Sequence, residues 1–466
     1  MPLIKSISGI RGTIGGQAGD NLTPPDLLAF VRGFVQVIKS KSVKEKPLIV
    51  VGRDGRISGP ALQQFINNTL LLLGVDVLDL ALATTPTIAM AVINNEADGG
   101  IIISASHNPQ EWNALKLLNN EGEYINAEEN EELIHFSKEL NLSYPGVNDL
   151  GELKVVNDAL ESHIEAIKAL KLVNRDAIAK KNFKVVVDGI NSVGALAVPE
   201  LLKSLGVENI VLINEKINGE FAHNPEPLDE HLEQIKARVI EEKADLGIVV
   251  DPDVDRLAFI DEKGQMFGEE YTLVAIADYV LSNYCACFHQ KISVSNLSSS
   301  RALKDITEAK GGSYYATAVG ELNVVQKMKE TGAAIGGEGN GGVIYPELHY
   351  GRDALVGIAL FLSFLAQERE SVSQIKQRYP QYEMIKDRIE IDKDLDLKIL
   401  LNKVKEHYQG EKISDTDGIK VDWEDSWFHL RASNTEPIIR IYSEAKTKEK
   451  AEKKVKGVKD FLADIK

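Results

Sequence analysis

The sequence predicts an α/β protein of four domains, three built alike around β-sheets and a smaller α+β one at the C-terminus. Three observations predict it. Short, unrelieved β-branched runs such as Ile101-Ile102-Ile103 are the signature of strands buried on both faces of a parallel sheet. Each such run ends in a polar loop. The same order of strand, loop, helix and strand then returns twice along the chain, which predicts three similar sheets pointing three loops at one central cleft. Chance likeness among α/β segments is the rival reading.

The first copy places a strand at Pro47 to Gly52, a polar loop at Arg53-Asp54-Gly55-Arg56 and a helix from Pro60 to Leu73. Strands at Val75 to Leu80 and Gly99 to Ser104 follow, with Thr84-Thr85-Pro86-Thr87 opening a helix between them. The second copy runs from Val185-Val186-Val187 through a helix ending at Leu205, a strand at Ile210 to Ile213 and a helix from Leu228 to Glu242. It closes on a strand at Gly247 to Val250. The third, fainter, has strands at Ile292 to Val294, Ser313 to Thr317 and Ala333 to Ile335 between helices at Arg301 to Ala309 and Leu322 to Thr331. Beyond about Ser371 the pattern becomes a hairpin-like pair of strands around Arg431 to Pro437 and a charged amphipathic helix from Lys446 to Lys466. At 466 residues, length alone leads to roughly three domains. The patterns place four, at residues 1–150, 151–260, 261–370 and 371–466.

Composition narrows the function. The formal net charge of −17 argues against nucleic-acid or anionic-membrane surfaces, which need an extended basic patch, but leaves room for an anion in a local basic pocket. No basic, apolar leader opens the chain, Val356 to Ala366 is short of a membrane span, and Thr69 to Ile93 is broken by Asp76, Asp79 and Pro86. A cytoplasmic protein is expected. The two cysteines, Cys285 and Cys287, have a spacing that suits neither a disulfide framework nor a zinc site, and read as packing residues.

Four loops carry candidate chemistry. Ser104 to Pro109 follows the Gly99 strand, where open α/β sheets bind ligands, and exposes the Ser106 hydroxyl beside His107 and Asn108. Lys116, ten residues on, can return positive charge to the same place. A plain strand-to-helix turn with Ser106 and Asn108 as caps is the alternative. Asp251, Asp253 and Asp255 alternate with Pro252 and Val254, and three crowded carboxylates repel unless a hard cation such as Mg²⁺ neutralises them. A solvated acidic turn is the second reading. An EF-hand fails because Arg256 stands where that loop needs glycine. Arg431, Ser433, Asn434, Thr435 and Arg440 gather donors around one turn, either a phosphate cradle or a hydrogen-bonded hairpin. Glu338 and Asn340, among glycines, suit sugar hydroxyls, as they also suit a flexible turn. Near the N-terminus, Arg11 in Lys5 to Thr13 can pair with phosphate or sit in an ordinary turn.

Together these loops resemble the α-D-phosphohexomutases: phosphoglucomutases, phosphomannomutases and phosphoglucosamine mutases. The likeness covers nearly the whole chain and implies that family's architecture, three similar α/β domains with mixed sheets and a smaller α+β C-terminal domain around a central cleft. Ser104 to Pro109 is similar to the family's phosphoserine loop, with Ser106 the phosphoryl carrier, and Asp251 to Arg256 to its metal loop, there D-G-D-G-D-R. Gly337 to Gly342 resembles the sugar-binding loop, Arg431 to Pro437 the phosphate-binding loop, and Asn218 to Pro227 a segment before the metal loop. Bacterial members usually carry serine and histidine where this chain has Asn340 and Gly342, and Val319-Gly320-Glu321 lacks a usual basic or histidine partner; G-E-G-N-G-G is more like archaeal-type members.

The resemblance implies a monomeric or homodimeric enzyme that interconverts hexose 6-phosphate and hexose 1-phosphate. Phosphorylated Ser106, with Mg²⁺ on Ser106, Asp251, Asp253 and Asp255, would make a hexose 1,6-bisphosphate, which serves as intermediate and activator. Arg256 and Lys116 would neutralise charge, and Lys116 or His107 would move the hydroxyl proton. Arg11, Glu338, Asn340, Arg431, Ser433, Asn434, Thr435 and Arg440 would hold substrate. The expected sugar is glucosamine 6-phosphate, because Ile7 to Thr13, I-S-G-I-R-G-T, resembles phosphoglucosamine mutases, with glucose and mannose phosphates as competitors. A binding protein that lost turnover and a Mg²⁺-dependent phosphatase are the other readings.

Overall fold

In the computed structural model the described residues are 3–139, 143–284, 290–390, 397–432 and 438–464. The cysteine pair lies outside them. The chain divides into two compact units, Met1–Thr272 with Gly341–Gln374, and Leu273–Asn340 with Ile375–Lys466.

In the first unit a seven-stranded sheet runs in the order Ile4–Ser6, Gly9–Thr13, Trp112–Leu118, Gly99–Ile103, Leu48–Arg53, Asp76–Leu82, Leu153–Val155. Gly99–Ile103 is fully buried because it has a core on each face. Ile101 and Ile103 point into one, with Phe34, Val35 and Ile66 from the helices Pro24–Lys41 and Gly59–Leu72. Ile102 points into the other, with Ile88 and Val92 of the helix Thr85–Asn94. The two-residue period of a strand alternates them.

Gly99–Ile103 is parallel to Leu48–Arg53, but its other neighbour, Trp112–Leu118, is antiparallel and pairs Lys116 opposite Ile102. The chain after Ser106 therefore returns as a strand rather than entering a helix, and this delivers Lys116 beside the loop. A second sheet, ordered Leu257–Ile260, Leu246–Val250, Lys184–Asp188, Asn209–Ile213, repeats the device: Leu246–Val250 is parallel to Lys184–Asp188 and antiparallel to Leu257–Ile260. The helix Ala354–Gln367, buried over nearly its whole length, stacks Phe361 on Phe259 with ring centroids 4.0 Å apart. The expected helix from Leu228 begins with a single 3₁₀ turn, Asp229–His231, and continues as Glu233–Glu242.

The second unit contains parallel strands Ser313–Thr317, Gln290–Asn296 and Ala333–Glu338, and an antiparallel five-stranded sheet. That sheet runs Glu383–Glu390, Ile438–Ala445, Ser426–Ala432, Ile419–Asp422, Lys412–Ser414. Val455, Val458 and Leu462 of the helix Lys448–Asp464 pack on Phe428, Leu430 and Ile441 of the sheet. Among the described residues no helix is long and apolar enough to cross a membrane.

Candidate active site

Ser106 stands in the left-handed region, at φ 50°, which costs an L-residue roughly 1–2 kcal/mol. The surroundings over-determine it. Its N–H donates to Ser104 Oγ at 2.9 Å, and its carbonyl accepts from Arg56 Nη2 at 2.6 Å. Arg56 is fully buried, and also donates to the carbonyls of Asn108, Pro109 and Trp112 at 2.6, 2.7 and 2.9 Å, while its Nε pairs with Asp54 Oδ2 at 3.1 Å. Ser104 Oγ donates to the same Asp54 oxygen at 2.7 Å. The Arg53–Arg56 loop, legible in sequence only as polar, thus shapes the whole serine loop.

The Ser106 hydroxyl donates to Asp251 Oδ2 at 2.5 Å, with His107 Nδ1 3.4 Å away. Asp251, Asp253 and Asp255 are all fully buried and offer one oxygen each within 4.8 Å of the others. Asp251 Oδ1 is taken by the N–H groups of Asp255 and Arg256. Lys116 Nζ bridges Asp253 Oδ2 at 2.6 Å and Asp255 Oδ2 at 3.2 Å, and Arg352 Nη2 reaches the latter at 2.7 Å. Asp253 Oδ1 and Asp255 Oδ1 are left buried without a hydrogen-bond partner. Buried acceptors are nearly always satisfied, so two orphaned carboxylate oxygens beside a third carboxylate fit a hard cation of the Mg²⁺ kind.

Electrostatics follow the geometry. Burial, then repulsion from Asp255 and Asp253, pushes the Asp251 carboxyl well above the usual range. Burial would do the same to Asp255, but Arg352, Lys116 and Arg256 outweigh it and hold that carboxyl well below. Burial also opposes charge on Lys116, and Asp253 foremost reverses this, raising the ammonium well above its ordinary value. His107 is driven well below, by burial and then by Arg256, whose Nη2 lies 3.5 Å from His107 Nε2. Arg256 Nη1 also pairs with Glu226 at 3.1 Å. Arg11, on the strand Gly9–Thr13, donates to Asn108 Oδ1 at 2.7 Å and so touches the serine loop from its other side.

Val254 adopts φ 63°, unusual for a β-branched residue. Its side chain is fully buried, its N–H donates to Asp251 O at 3.0 Å and its carbonyl accepts from Ala354 N at 3.2 Å. Glycine is ordinarily about 0.5–1 kcal/mol worse than alanine within an element, whereas a left-handed position penalises alanine by roughly 1–2 kcal/mol. Val254→Gly is therefore expected to unfold at a temperature no lower than Val254→Ala, inverting the usual order, as differential scanning calorimetry would read.

In the second unit Glu338 ends the strand Ala333–Glu338, and its Oε1 accepts from Asn296 Nδ2 at 3.0 Å and Gly320 N at 3.2 Å. Asn340 follows in the same glycine-rich loop. Arg431 and Arg440 face each other across the antiparallel pair, and Arg431 Nε lies 3.4 Å from Asp417 Oδ2. His429, pushed down to about 4 by burial, sits two residues before Arg431 and pairs with Ser298 Oγ at 2.9 Å. Ser433, Asn434 and Thr435 lie outside the described residues.

The structure thus brings Ser106, His107, Lys116, Arg256, Arg11 and the three aspartates together in one unit. It adds Asp54, Arg56, Thr85, Glu226 and Arg352, which sequence reasoning did not single out. Arg53-Asp54-Gly55-Arg56 at the end of a buried strand carried a signal for two of them; Thr85 and Arg352 reach the site only through tertiary contacts.

A hydroxyl held against clustered carboxylates that are themselves bonded to a lysine and an arginine is equipment for transferring an anionic group. Comparison with known proteins narrows the class. Residues 4–142, 161–264 and 268–382 match the phosphoglucomutase/phosphomannomutase alpha/beta/alpha domains I, II and III, and residues 388–460 match the C-terminal domain of that family. A phosphoglucomutase/phosphomannomutase of Thermococcus kodakarensis is 38% identical over 94% of this chain and 95% of its own. A phosphoglucosamine/phosphogalactosamine mutase of Sulfurisphaera tokodaii is 32% identical over 97% and 98%. The crystal structure of a phosphoglucomutase/phosphomannomutase family protein from Burkholderia thailandensis superposes with a TM-score of 0.81 at 25% identity, covering 97% of this chain and 96% of that one. The chain belongs to the α-D-phosphohexomutase family, with that family's four-domain α/β architecture.

Proposed function

We propose that the protein interconverts hexose 6-phosphate and hexose 1-phosphate by way of a phosphorylated Ser106, acting on glucosamine phosphate and, through the same residues, on glucose and mannose phosphates. The observation that carries this reading is the Ser106 hydroxyl in its left-handed turn, 2.5 Å from Asp251 and beside two orphaned carboxylate oxygens. Asp251, Asp253, Asp255 and the Ser106 oxygen would hold Mg²⁺. When bound, that ion supplies charge neutralisation at the transferring phosphoryl group.

In the first half-reaction the hydroxyl of the bound sugar phosphate attacks the phosphorus on Ser106. The bond from phosphorus to Ser106 Oγ breaks, a bond from phosphorus to the sugar oxygen forms, and the product is a hexose 1,6-bisphosphate. The second half-reaction is the reverse transfer from the other end of that bisphosphate. His107 would take the hydroxyl proton and return it, since Lys116, held as the ammonium between Asp253 and Asp255, has no lone pair to accept one; Lys116 and Arg256 would add positive charge. Glu338 and Asn340 would receive sugar hydroxyls. Arg431, Arg440, Ser433, Asn434 and Thr435 would grip the distal phosphate, with Arg11 assisting at the serine loop.

For the sugar, support is the phosphoglucosamine mutase naming of relatives 30–32% identical, beside the phosphoglucomutase/phosphomannomutase naming of one at 38%. The sequence identifies no dedicated acceptor for a 2-amino group, and a site that does not hydrogen-bond a distinguishing group discriminates weakly. A coupled assay over the three 6-phosphates, with a trace of bisphosphate, tests this. Conversion of glucosamine 6-phosphate alongside the other two is expected. Efficient conversion of glucose or mannose phosphate with glucosamine 6-phosphate untouched would overturn the sugar assignment, and release of inorganic phosphate alone would overturn the mutase.

A further inference from the structure

Two segments distant in sequence grip the aspartate loop at oxygens other than the orphaned Asp253 Oδ1 and Asp255 Oδ1. Thr85, at the N-terminus of the helix Thr85–Asn94, donates its hydroxyl to Asp253 Oδ2 at 2.6 Å and its N–H to the Asp253 carbonyl at 2.9 Å. From the other segment, Arg352 Nη2 donates to Asp255 Oδ2 at 2.7 Å, and Ala354 N to the Val254 carbonyl at 3.2 Å. The two grips are joined behind the loop. Thr84 Oγ1 lies 2.7 Å from Thr87 Oγ1, which lies 3.0 Å from His163 Nδ1; His163 Nε2 is 2.9 Å from Asp353 Oδ2. Asp353 neighbours Arg352 in sequence and caps the helix Ala354–Gln367 through Oδ1, which accepts from Leu355 N at 2.8 Å and Val356 N at 3.2 Å. Thr84, Thr87, His163 and Asp353 are all buried.

His163, His349 and Asp353 also have the makings of a metal cluster. The hydrogen bonding speaks for a joint instead. Both rings direct Nε2 at the one Asp353 oxygen, and His349 Nδ1 is buried without a partner, whereas a ligating histidine almost always donates its other N–H to an acceptor.

We propose that Thr85 and Arg352 are positioning residues for the cation: they occupy the Oδ2 oxygens of Asp253 and Asp255, turn the Oδ1 oxygens toward the ion, and are held in register by the Thr87–His163–Asp353 chain. This rests on the cation site proposed above. Removing the Thr85 hydroxyl leaves Asp253 Oδ2 to Lys116, and removing the Arg352 guanidinium leaves Asp255 Oδ2 to the same lysine, so each carboxylate is held by one fewer donor and its orientation loosens. Neither residue is itself a ligand.

The test is Mn²⁺ binding to the full-length protein, read from the electron paramagnetic resonance signal of the free ion, with circular dichroism to check folding. Thr85→Val and Arg352→Gln are each expected to weaken Mn²⁺ by about ten- to a hundred-fold, the usual cost of losing an outer-shell partner. Thr85→Ser, which keeps the hydroxyl, is expected to match wild type. Thr87→Val, which contacts no aspartate, is expected to weaken it by a smaller factor. Wild-type affinity in both Thr85→Val and Arg352→Gln, or equal losses in Thr85→Ser and Thr85→Val, overturns the positioning role; wild-type affinity in Thr87→Val overturns the joint. Should Arg352→Gln fail to fold, the Thr85 pair decides alone. If wild type binds no Mn²⁺, or Asp253→Asn binds it equally well, the cation site itself is wrong, a result separate from failure of the clamp.

Discussion

Ser106→Ala is expected to fold as wild type and to lose roughly four to six orders of magnitude in turnover, as removal of a covalent nucleophile does when no neighbouring group can replace it. The side chain bonds only to Asp251 and, at 3.4 Å, to His107 Nδ1, so its loss leaves the sheet and the Arg56 grip on the loop intact. Alanine also tolerates the left-handed backbone about as well as serine. A coupled assay with glucosamine or glucose phosphate measures the effect. Turnover within tenfold of wild type would mean that Ser106 is not the carrier.

Arg56→Leu should have the largest effect on stability. Arg56 and Asp54 are both fully buried, and burial already lifts the Asp54 carboxyl above its ordinary range against the lowering influence of Arg56. Deleting one partner of a buried pair typically costs about 3–5 kcal/mol, because the other charge stays behind without compensation. Here four carbonyls, of Ser106, Asn108, Pro109 and Trp112, lose the Arg56 guanidinium as a donor as well, though that of Pro109 keeps the Trp112 N–H at 3.0 Å. Thermal unfolding of Arg56→Leu should therefore begin far below wild type, and turnover should fall because the serine loop loses its shape. Adding Asp54→Leu should restore part of the stability, since the stranded charge is gone, but none of the turnover. A double variant no more stable than Arg56→Leu would show that the carbonyls, not the Asp54 charge, carry the cost.

How far the sequence could be read depended on whether the relevant signal was local. Ile101-Ile102-Ile103 could be read as a strand buried on both faces because apolar runs encode burial directly, and the aspartates could be read as a cation loop because their repulsion is a property of the loop alone. The return strand Trp112–Leu118 was not legible, since its alternation is blurred by burial on both faces; Lys116 could be suspected but not placed. Arg56 looks like a surface residue in any one-dimensional reading. Its burial depends on carbonyls about fifty residues away, at positions 106 to 112. Thr85 and Arg352 are further from legibility still, for their partners lie 168 and 97 residues distant. Val254, at a position where the family has glycine, shows the converse: the resemblance marks the turn, and only the backbone shows that a valine has been forced into it.

The central claim is that Ser106 carries the phosphoryl group, and mass spectrometry of the purified chain after incubation with hexose 1,6-bisphosphate tests it most directly. The account predicts a single phosphorylated peptide, containing Ser106, whose phosphoryl group disappears when hexose 6-phosphate is added in excess and reappears on the sugar as bisphosphate. Phosphorylation at another residue, or a phosphoryl group on Ser106 that added sugar phosphate cannot remove, would contradict it.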